Sequence, residues 1–442
     1  MEIIPIHHPL HAAVRVPGSK SLTNRALLIS ALANGRTRLT NALFSDDSRY
    51  FAKALQALGF DVQLDEPNLE VTIMGLGGEI PRQKAELFVG NAGTAARFLS
   101  AFLTLGHGEY ILDGERRMRE RPIGDLVSAL TQLGAELESP NNCPPIKIIA
   151  SGLKGGKTSI AADISSQFLS ALLMVAPYAK SPVEVEVITE LNSKPYVDMT
   201  LAVMRDFGVE VKRNAYQSFS IPLTNYRLPI TNHRSPGLRE AQGNASNLPS
   251  PFSYDIESDA SAASYFFAAP AICGGTVCVE NISRQSKQGD IAFLDVLEQM
   301  GCIIGENENN IEVTGSQSLF GVEVNLRDIP DTAQTLAAIA PFASTPTRIR
   351  GIASARLKET DRIHATCMEL ARLAVRVEEH SDGMTIYPCE RICPATIQTY
   401  NDHRMAMAFS LIGLRVPGVR IENPSCVAKT FPNFFNVIET LR

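Results

Sequence analysis

The segment Val16-Pro17-Gly18-Ser19-Lys20-Ser21-Leu22-Thr23-Asn24-Arg25 sets two cations and several hydroxyls at the start of an apolar helix. Pro17-Gly18 breaks the extended run Ala13 to Val16. Ser19 or Ser21 can cap the helix, and Ala26-Leu27-Leu28-Ile29 continues it almost without polarity. The free N–H groups and dipole of such a helix end attract phosphate or carboxylate, and Lys20 with Arg25 would add full charges. Taken alone, a capped helix with two solvated cations accounts for the segment equally well. Similar starts recur as Asn91-Ala92-Gly93-Thr94 with Arg97, Ser165-Ser166-Gln167, Asp331, and Asp402-His403-Arg404. Polar clusters also open three amphipathic segments: Arg119-Glu120-Arg121-Pro122, Ser193-Lys194-Pro195-Tyr196 and Lys358-Glu359-Thr360-Asp361-Arg362. Each has a plainer reading: Asp331 after Pro330 as a helix cap, Arg121 as a surface arginine, Lys358 to Arg362 as a solvated helix start. If they converge on one cleft, they make a strongly positive pocket for an anionic or hydroxylated ligand.

The elements that carry these groups repeat. Helices are expected to start near Ser19, Asn91, Ser165, Asp259, Asp331 and Asp402, at spacings of 72, 74, 94, 72 and 71 residues. Stretches apolar on nearly every side, such as Ala95 to Leu105 or Thr332 to Ala343, belong inside a domain. A more amphipathic helix recurs between them and ends at Leu58-Gly59, Leu133-Gly134, Phe207-Gly208, Met300-Gly301 and Leu373-Ala374, so that only the fifth copy lacks the capping glycine. Short strands follow, for example Leu69 to Met74, Ile146 to Ala150, Ile311 to Thr314 and Met384 to Tyr387. The pattern predicts an α/β chain whose unit, two helices and several strands, occurs six times. The surplus in the one irregular spacing falls between Asn225 and Glu257, among prolines and glycines, and predicts an inserted exposed loop at about 225–256. Two globular halves follow, 1–19 with 257–442 and 20–256.

The 442 residues suffice for two to three domains, and a net charge of -6 argues against general nucleic-acid binding. Eight cysteines without a Cys-x-x-Cys pair suggest a reduced cytosolic chain rather than a disulfide framework or zinc site. His7, His8 and His11 lack further chelating groups around them, and no metal is expected there. The longest apolar runs are too short to span a bilayer and no secretory signal opens the chain, so a cytoplasmic protein is expected.

Pro17-Gly18-Ser19-Lys20-Ser21 with Asn24-Arg25, Gly90-Asn91-Ala92-Gly93-Thr94 with Arg97, Arg119 to Pro122, Ser165 to Gln167, Ser193 to Tyr196, Lys358 to Arg362, Asn401 to Arg404 and Lys429-Thr430-Phe431-Pro432 occur in that order. Together they resemble the 5-enolpyruvylshikimate-3-phosphate synthase family from about Ile4 to the C-terminus, the insertion excepted. The resemblance implies two similar domains, each of three βαβαββ repeats in an inside-out α/β barrel, with a ligand cleft between them. It implies transfer of the carboxyvinyl group of phosphoenolpyruvate to the 5-hydroxyl of shikimate 3-phosphate, releasing phosphate through a tetrahedral intermediate, without cofactor or metal. By motif match, Lys20, Gly93, Arg121, Gln167, Glu359, Arg362, Arg404 and Lys429 would surround phosphoenolpyruvate. Lys20, Ser21, Arg25, Ser165, Ser166, Gln167, Ser193, Tyr196, Asp331, Ser354 and Lys358 would hold shikimate 3-phosphate. Asp331 would act as base on the hydroxyl, Glu359 would exchange protons with the methylene carbon, and Lys20 would protonate the bridging oxygen or departing phosphate.

Two positions depart from the family pattern. Phe98 follows Arg97 where many relatives have proline, and Ser354 stands where asparagine is frequent. Glycine rather than alanine at position 93 resembles the form that admits the inhibitor glyphosate. A sister reading, UDP-N-acetylglucosamine enolpyruvyl transferase, calls for a cysteine in the loop before the Arg-Pro pair, and Gly114 to Arg121 has none. A non-catalytic anion-binding relative would not need both Asp331 and Glu359. The expected partners are the two small-molecule substrates, with no nucleic acid or membrane, and the chain is expected to be a monomer.

Overall fold

A computed structural model describes residues 1–224, 226 and 251–442. Its apolar side chains gather into two cores, one drawn from residues between Leu22 and Ile256, the other from Ile3 to Val16 and Ala260 to Leu441. The first core is built on α1 (Lys20–Leu32), α2 (Asp46–Ala57), α3 (Gly93–Leu103), α4 (Gly124–Gln132), α5 (Ser166–Val175) and α6 (Lys194–Asp206). The second is built on α7 (Ala260–Cys273), α8 (Phe293–Gln299), α9 (Ala333–Ile339), α10 (Arg362–Arg372), α11 (His403–Gly413) and α12 (Phe434–Glu439). Helices α1, α3 and α5 touch one another at the centre of their half, and α7, α9 and α11 do the same in theirs. Their all-round apolarity is what such a position demands: every residue of α3 is buried.

Sheets of four strands wrap each trio, and each has one parallel pairing joined to an antiparallel hairpin. In one, Lys84–Phe88 runs parallel to His107–Asp113, which pairs antiparallel with Ile146–Ser151, and that strand with Glu136–Glu138. Five such sheets form, and strand, helix, strand, helix and hairpin follow one another through the repeat. The sixth copy is cut short: Thr396–Ile397 pairs with Arg420–Ile421 alone, and the N-terminal Glu2 bridges to Arg420 from the other side. The fold is thus α/β with two similar three-repeat domains. The amphipathic helices stop where left-handed backbone begins, at Gly59 (φ 96), Gly134 (φ 87), Gly208 (φ 81) and Gly301 (φ 103), and in the fifth copy Ala374 takes the same conformation at φ 63.

Each half borrows a strand from the far side of the chain. Leu10–Arg15 lies parallel to Gly275–Glu280 in the second half, and Phe252–Asp255 lies parallel to Asn34–Thr40 in the first. Most of the expected insertion, residues 225 and 227–250, falls outside the described residues. Its end differs from the expected loop: Phe252 and Tyr254 alternate inwards onto Phe207, a period-2 pattern too short to stand out beside Pro249 and Pro251. The two connecting segments run side by side, joined by a bridge of Gly18 to Ser258 and by bonds from Ser19 N to the Glu257 carbonyl (2.8 Å) and from Asp259 N to the Pro17 carbonyl (2.9 Å). Gly18 has no room for a side chain, since a Cβ there would lie 1.8 Å from the Asn41 carbonyl oxygen.

Candidate active site

The N-terminal ends of the six buried helices meet where the halves face each other. Ser19 caps α1 by accepting from Leu22 N, Ser165 caps α5 by accepting from Gln167 N, and Ala92 leaves α3 without a side-chain cap. In the second half the caps are carboxylates: Asp259 on α7 and Asp402 on α11, with Asp331 in the turn Pro330–Thr332 that leads into α9. A cleft between the halves is lined by Lys20, Ser21, Ser165, Ser166, Gln167, Ser193, Tyr196, Asp331 and Lys358, all expected there, and by Thr94 and Asn192. Thr94 accepts a hydrogen bond from the Gln167 amide at 3.3 Å. Ser193 adopts left-handed backbone (φ 55), and its hydroxyl donates to the Arg327 carbonyl of the other half at 3.3 Å.

Beside this cleft lies a buried network centred on Arg362. Its guanidinium holds three carboxylates: Asp402 through Nε at 2.8 Å, Asp331 through Nη1 at 3.1 Å and Glu359 through Nη2 at 2.9 Å. Arg404 donates to the Asp331 carboxylate at 2.6 Å and to its carbonyl at 3.1 Å. Lys429 reaches across to the first half, 2.7 Å from the Asn91 carbonyl and 3.0 Å from Asp47, and lies 3.7 Å from Glu359. Arg121 bonds the Asn91 side chain and carbonyl at 3.0 and 3.1 Å and comes within 4.0 Å of Glu359. Removing these charges from water is costly, and the close pairing is what offsets it.

The electrostatics keep both reacting carboxylates ionised. Burial alone would raise Asp331, but Arg404 and Arg362, with Lys358 and Lys20 behind them, hold it far below the usual carboxylate range. Glu359 is also held well below that range, burial being outweighed by Arg362, Arg121 and Lys429. Burial pulls Lys358 down to about 8 despite the nearby Asp331. Burial, then Arg404 and Lys20, keep His403 well below the ordinary imidazole value, and neither of its ring nitrogens has a hydrogen-bond partner. The site therefore offers neutral imidazole, ionised carboxylates and permanently charged guanidinium groups.

Arg25, expected on the shikimate 3-phosphate side, is buried behind Ser21 and Tyr196, two residues that line the cleft. It is 1% exposed, stacks over the Phe98 ring at 5.4 Å, and bonds the carbonyls of Ser21 (2.9 Å) and Tyr196 (3.0 Å) and the Thr200 hydroxyl (2.8 Å). Burial lowers it to about 10. Phe98 is thus the platform for that guanidinium, and Arg97 ties the start of α3 to the following loop through the Pro122 carbonyl at 2.8 Å. A Cβ on Gly93 would sit 2.3 Å from Nη2 of Arg121, so only glycine leaves that guanidinium where it is. Ser354 lines a neighbouring cavity with Arg121, Gln167 and Lys358, its hydroxyl unpartnered. Asp47 and Asp290 belong to the network and were not singled out by their sequence context. Asp47 sits in the first turn of α2, where an acid is an ordinary helix-end residue, and Asp290 follows a glycine in a short turn. Among the described residues no three histidine, cysteine or acidic side chains gather as metal ligands would.

The profile of the EPSP synthase (3-phosphoshikimate 1-carboxyvinyltransferase) family matches residues 4–438. A 3-phosphoshikimate 1-carboxyvinyltransferase of Nostoc punctiforme is 49% identical over 98% of this chain and 97% of its own length. The chloroplastic enzyme 1 of Nicotiana tabacum is 45% identical over 97% of this chain and 82% of its own. Among solved structures, EPSP synthase from Acinetobacter baumannii superposes with a TM-score of 0.79 at 25% identity, covering 100% of this chain and 97% of that one.

Proposed function

The chain belongs to the EPSP synthase family, and from that premise we propose how its cleft moves the carboxyvinyl group of phosphoenolpyruvate onto the 5-hydroxyl of shikimate 3-phosphate, with release of phosphate. The chain is an enzyme, a transferase of the shikimate pathway. The observation that carries the residue assignment is the pairing of two carboxylates, Asp331 and Glu359, through one guanidinium, Arg362, with cations from both halves around them. Phosphoenolpyruvate and shikimate 3-phosphate are both polyanions. Lys20, Arg121, Arg362, Arg404 and Lys429 supply charge for the first, and the open start of α3 at Gly93 supplies unpaired N–H groups. Ser21, Ser165, Ser166, Gln167, Ser193, Tyr196 and Lys358 line the cleft for the second. Arg25, which also fixes the backbone of Ser21 and Tyr196, and Ser354 complete the shikimate 3-phosphate side, Arg25 toward its phosphate.

In the addition step Asp331, held ionised, takes the hydroxyl proton as oxygen bonds to C2 of phosphoenolpyruvate. Glu359 delivers a proton to the methylene carbon. An ionised Glu359 must first gain that proton, and the arriving anion favours this by engaging Arg121, Arg362 and Lys429, the cations that otherwise hold Glu359 ionised. Lys20, 3.8 Å from Asp47, is the donor to the bridging oxygen or the departing phosphate. Elimination reverses the two proton transfers. We further take the domain limits at 19/20 and 256/257, and the working unit as a cytoplasmic monomer. Among the described residues no helix is long and apolar enough to cross a membrane. Phosphate release from phosphoenolpyruvate with shikimate 3-phosphate as acceptor tests the reading. Release only with UDP-N-acetylglucosamine would select the sister enzyme, and release with neither an anion-binding relative.

A further inference from the structure

One carboxyl beside the cleft has no part in the chemistry above. Asp290, 4% exposed, occupies the turn Gly289–Ala292 of the second half. The Tyr196 hydroxyl, contributed by the first half, stands 3.0 Å from its Oδ2 and 3.4 Å from Oδ2 of Asp331. A phenol has one hydrogen and cannot donate to both. With both carboxylates ionised, one of them faces an oxygen lone pair. The trio is fully satisfied only with one more proton, Asp290 donating to Tyr196 and Tyr196 to Asp331. The spacing is held mechanically: Gly289 packs on Pro195, next to Tyr196, and a Cβ there would lie 2.2 Å from the proline Cβ.

The two acids have opposite surroundings. Asp331 is gripped by Arg362 and Arg404. Asp290 receives the Ser261 hydroxyl from α7 and the Tyr196 hydroxyl from α6, while its Oδ1 has no partner. The charges facing it are Asp331 from the turn before α9, Arg404 from α11 and Asp259 from the cap of α7. Burial, and then Asp331, raise Asp290 to about 6, whereas Asp331 is held far lower. Burial keeps the Tyr196 phenol well above its ordinary value, so it relays as a neutral group.

We propose that Asp290 is a positioning residue that stores, through the Tyr196 hydroxyl, the proton Asp331 removes from the acceptor hydroxyl; this rests on the function proposed above. The transfer is a concerted exchange. Asp331 passes the substrate proton to Tyr196 Oη while Tyr196 passes its own to Asp290 Oδ2, so one O–H bond breaks and one forms at Tyr196, which carries no charge at the end. The site resets when the proton returns through Tyr196 to Asp331 and from there replaces the one that Lys20 gives to the departing phosphate, so that the hydroxyl proton is balanced by the one that leaves on phosphate. Emptied of its proton, Asp331 is free to stay bound to Arg362 and Arg404 while the tetrahedral intermediate persists.

Asp290→Asn keeps the volume and removes the store. Phosphate release with both substrates, followed from about pH 5 to pH 9, is expected to show kcat lowered roughly 10-fold or more with little change in either KM. Intact protein should lose kcat as pH falls through about 6, where Asp290 is already protonated, and the variant should not. Tyr196→Phe should remove the same ionisation, and the double variant should be no slower than the slower single one. An unchanged kcat and pH profile in Asp290→Asn, a loss in KM alone, or losses that multiply in the double variant would overturn the proposal. If Asp290→Asn does not fold, Tyr196→Phe decides alone: its retaining the ionisation overturns the proposal. Intact protein that releases no phosphate would overturn the functional reading itself, a result distinct from all of these.

Discussion

Asp331 and Lys358 show how one buried site sets opposite demands on an acid and a base. Asp331 is kept ionised by two arginines, and Asp331→Ala is expected to lower kcat by roughly 10²–10⁴ while leaving both KM values within a few-fold, measured by phosphate release. Lys358 has the reverse problem: burial depresses it from the ordinary lysine range to about 8, so its charge is present below pH 8 and lost above. The KM for shikimate 3-phosphate should therefore rise as pH passes about 8, and Lys358→Arg should flatten that rise, because a guanidinium stays charged. Both residues are legible in the sequence because each stands at a helix start, Asp331 alone after Pro330 and Lys358 in a polar run. Asp47 and Asp290 are not, as single acids whose roles arise only from what tertiary folding brings against them. Arg25 stands one turn after Ser21 on α1, and its guanidinium bonds the Ser21 carbonyl, a contact between neighbours on one helix face.

At the scale of elements, the buried helix starts divide by half. Those of the first half end in Ser19, Ala92 and Ser165, neutral and partly open, while those of the second carry Asp259, Asp331 and Asp402. One side thus offers bare helix dipoles to anions, and the other holds arginines on its carboxylates. The uncapped start of α3 is the most exposed to change. Gly93→Ala should push the Arg121 guanidinium from 2.3 Å towards 3.4 Å or more from the new carbon, raise the KM for phosphoenolpyruvate and weaken inhibition by glyphosate; competition kinetics against phosphoenolpyruvate would read both. The spacing of the starts was legible because an all-round apolar helix after a polar cap is a strong local pattern. Their caps shifted by one residue at Ala92 and Thr332, since Asn91 serves Arg121 and Asp331 serves Arg362 and Arg404 instead of the backbone. The strand Phe252–Asp255 was hidden because it pairs with a strand more than two hundred residues earlier, a partnership with no local trace.

Taken whole, the molecule is two barrels meeting at a charged seam. Arg117 of the first half donates to the Lys358 carbonyl of the second at 2.9 and 3.1 Å, and Lys194 N to the Asp328 carboxylate at 3.2 Å. Such contacts form only when the halves approach, so Arg117→Ala is expected to raise both KM values and leave the substrate-bound radius of gyration larger than in intact protein, measured by solution scattering. The exchanged strands have a different consequence, one of timing. Residues 20–224 and Phe252–Asp255 can complete the first core as soon as the latter emerges during synthesis. Leu10–Arg15 must wait for Gly275–Glu280, roughly tens of seconds at ordinary ribosomal rates. Through that interval Leu10 and Val14, fully covered in the finished fold, have no sheet to enter. A strand made early is thus among the last to be fixed, and the half it completes is the half that folds second.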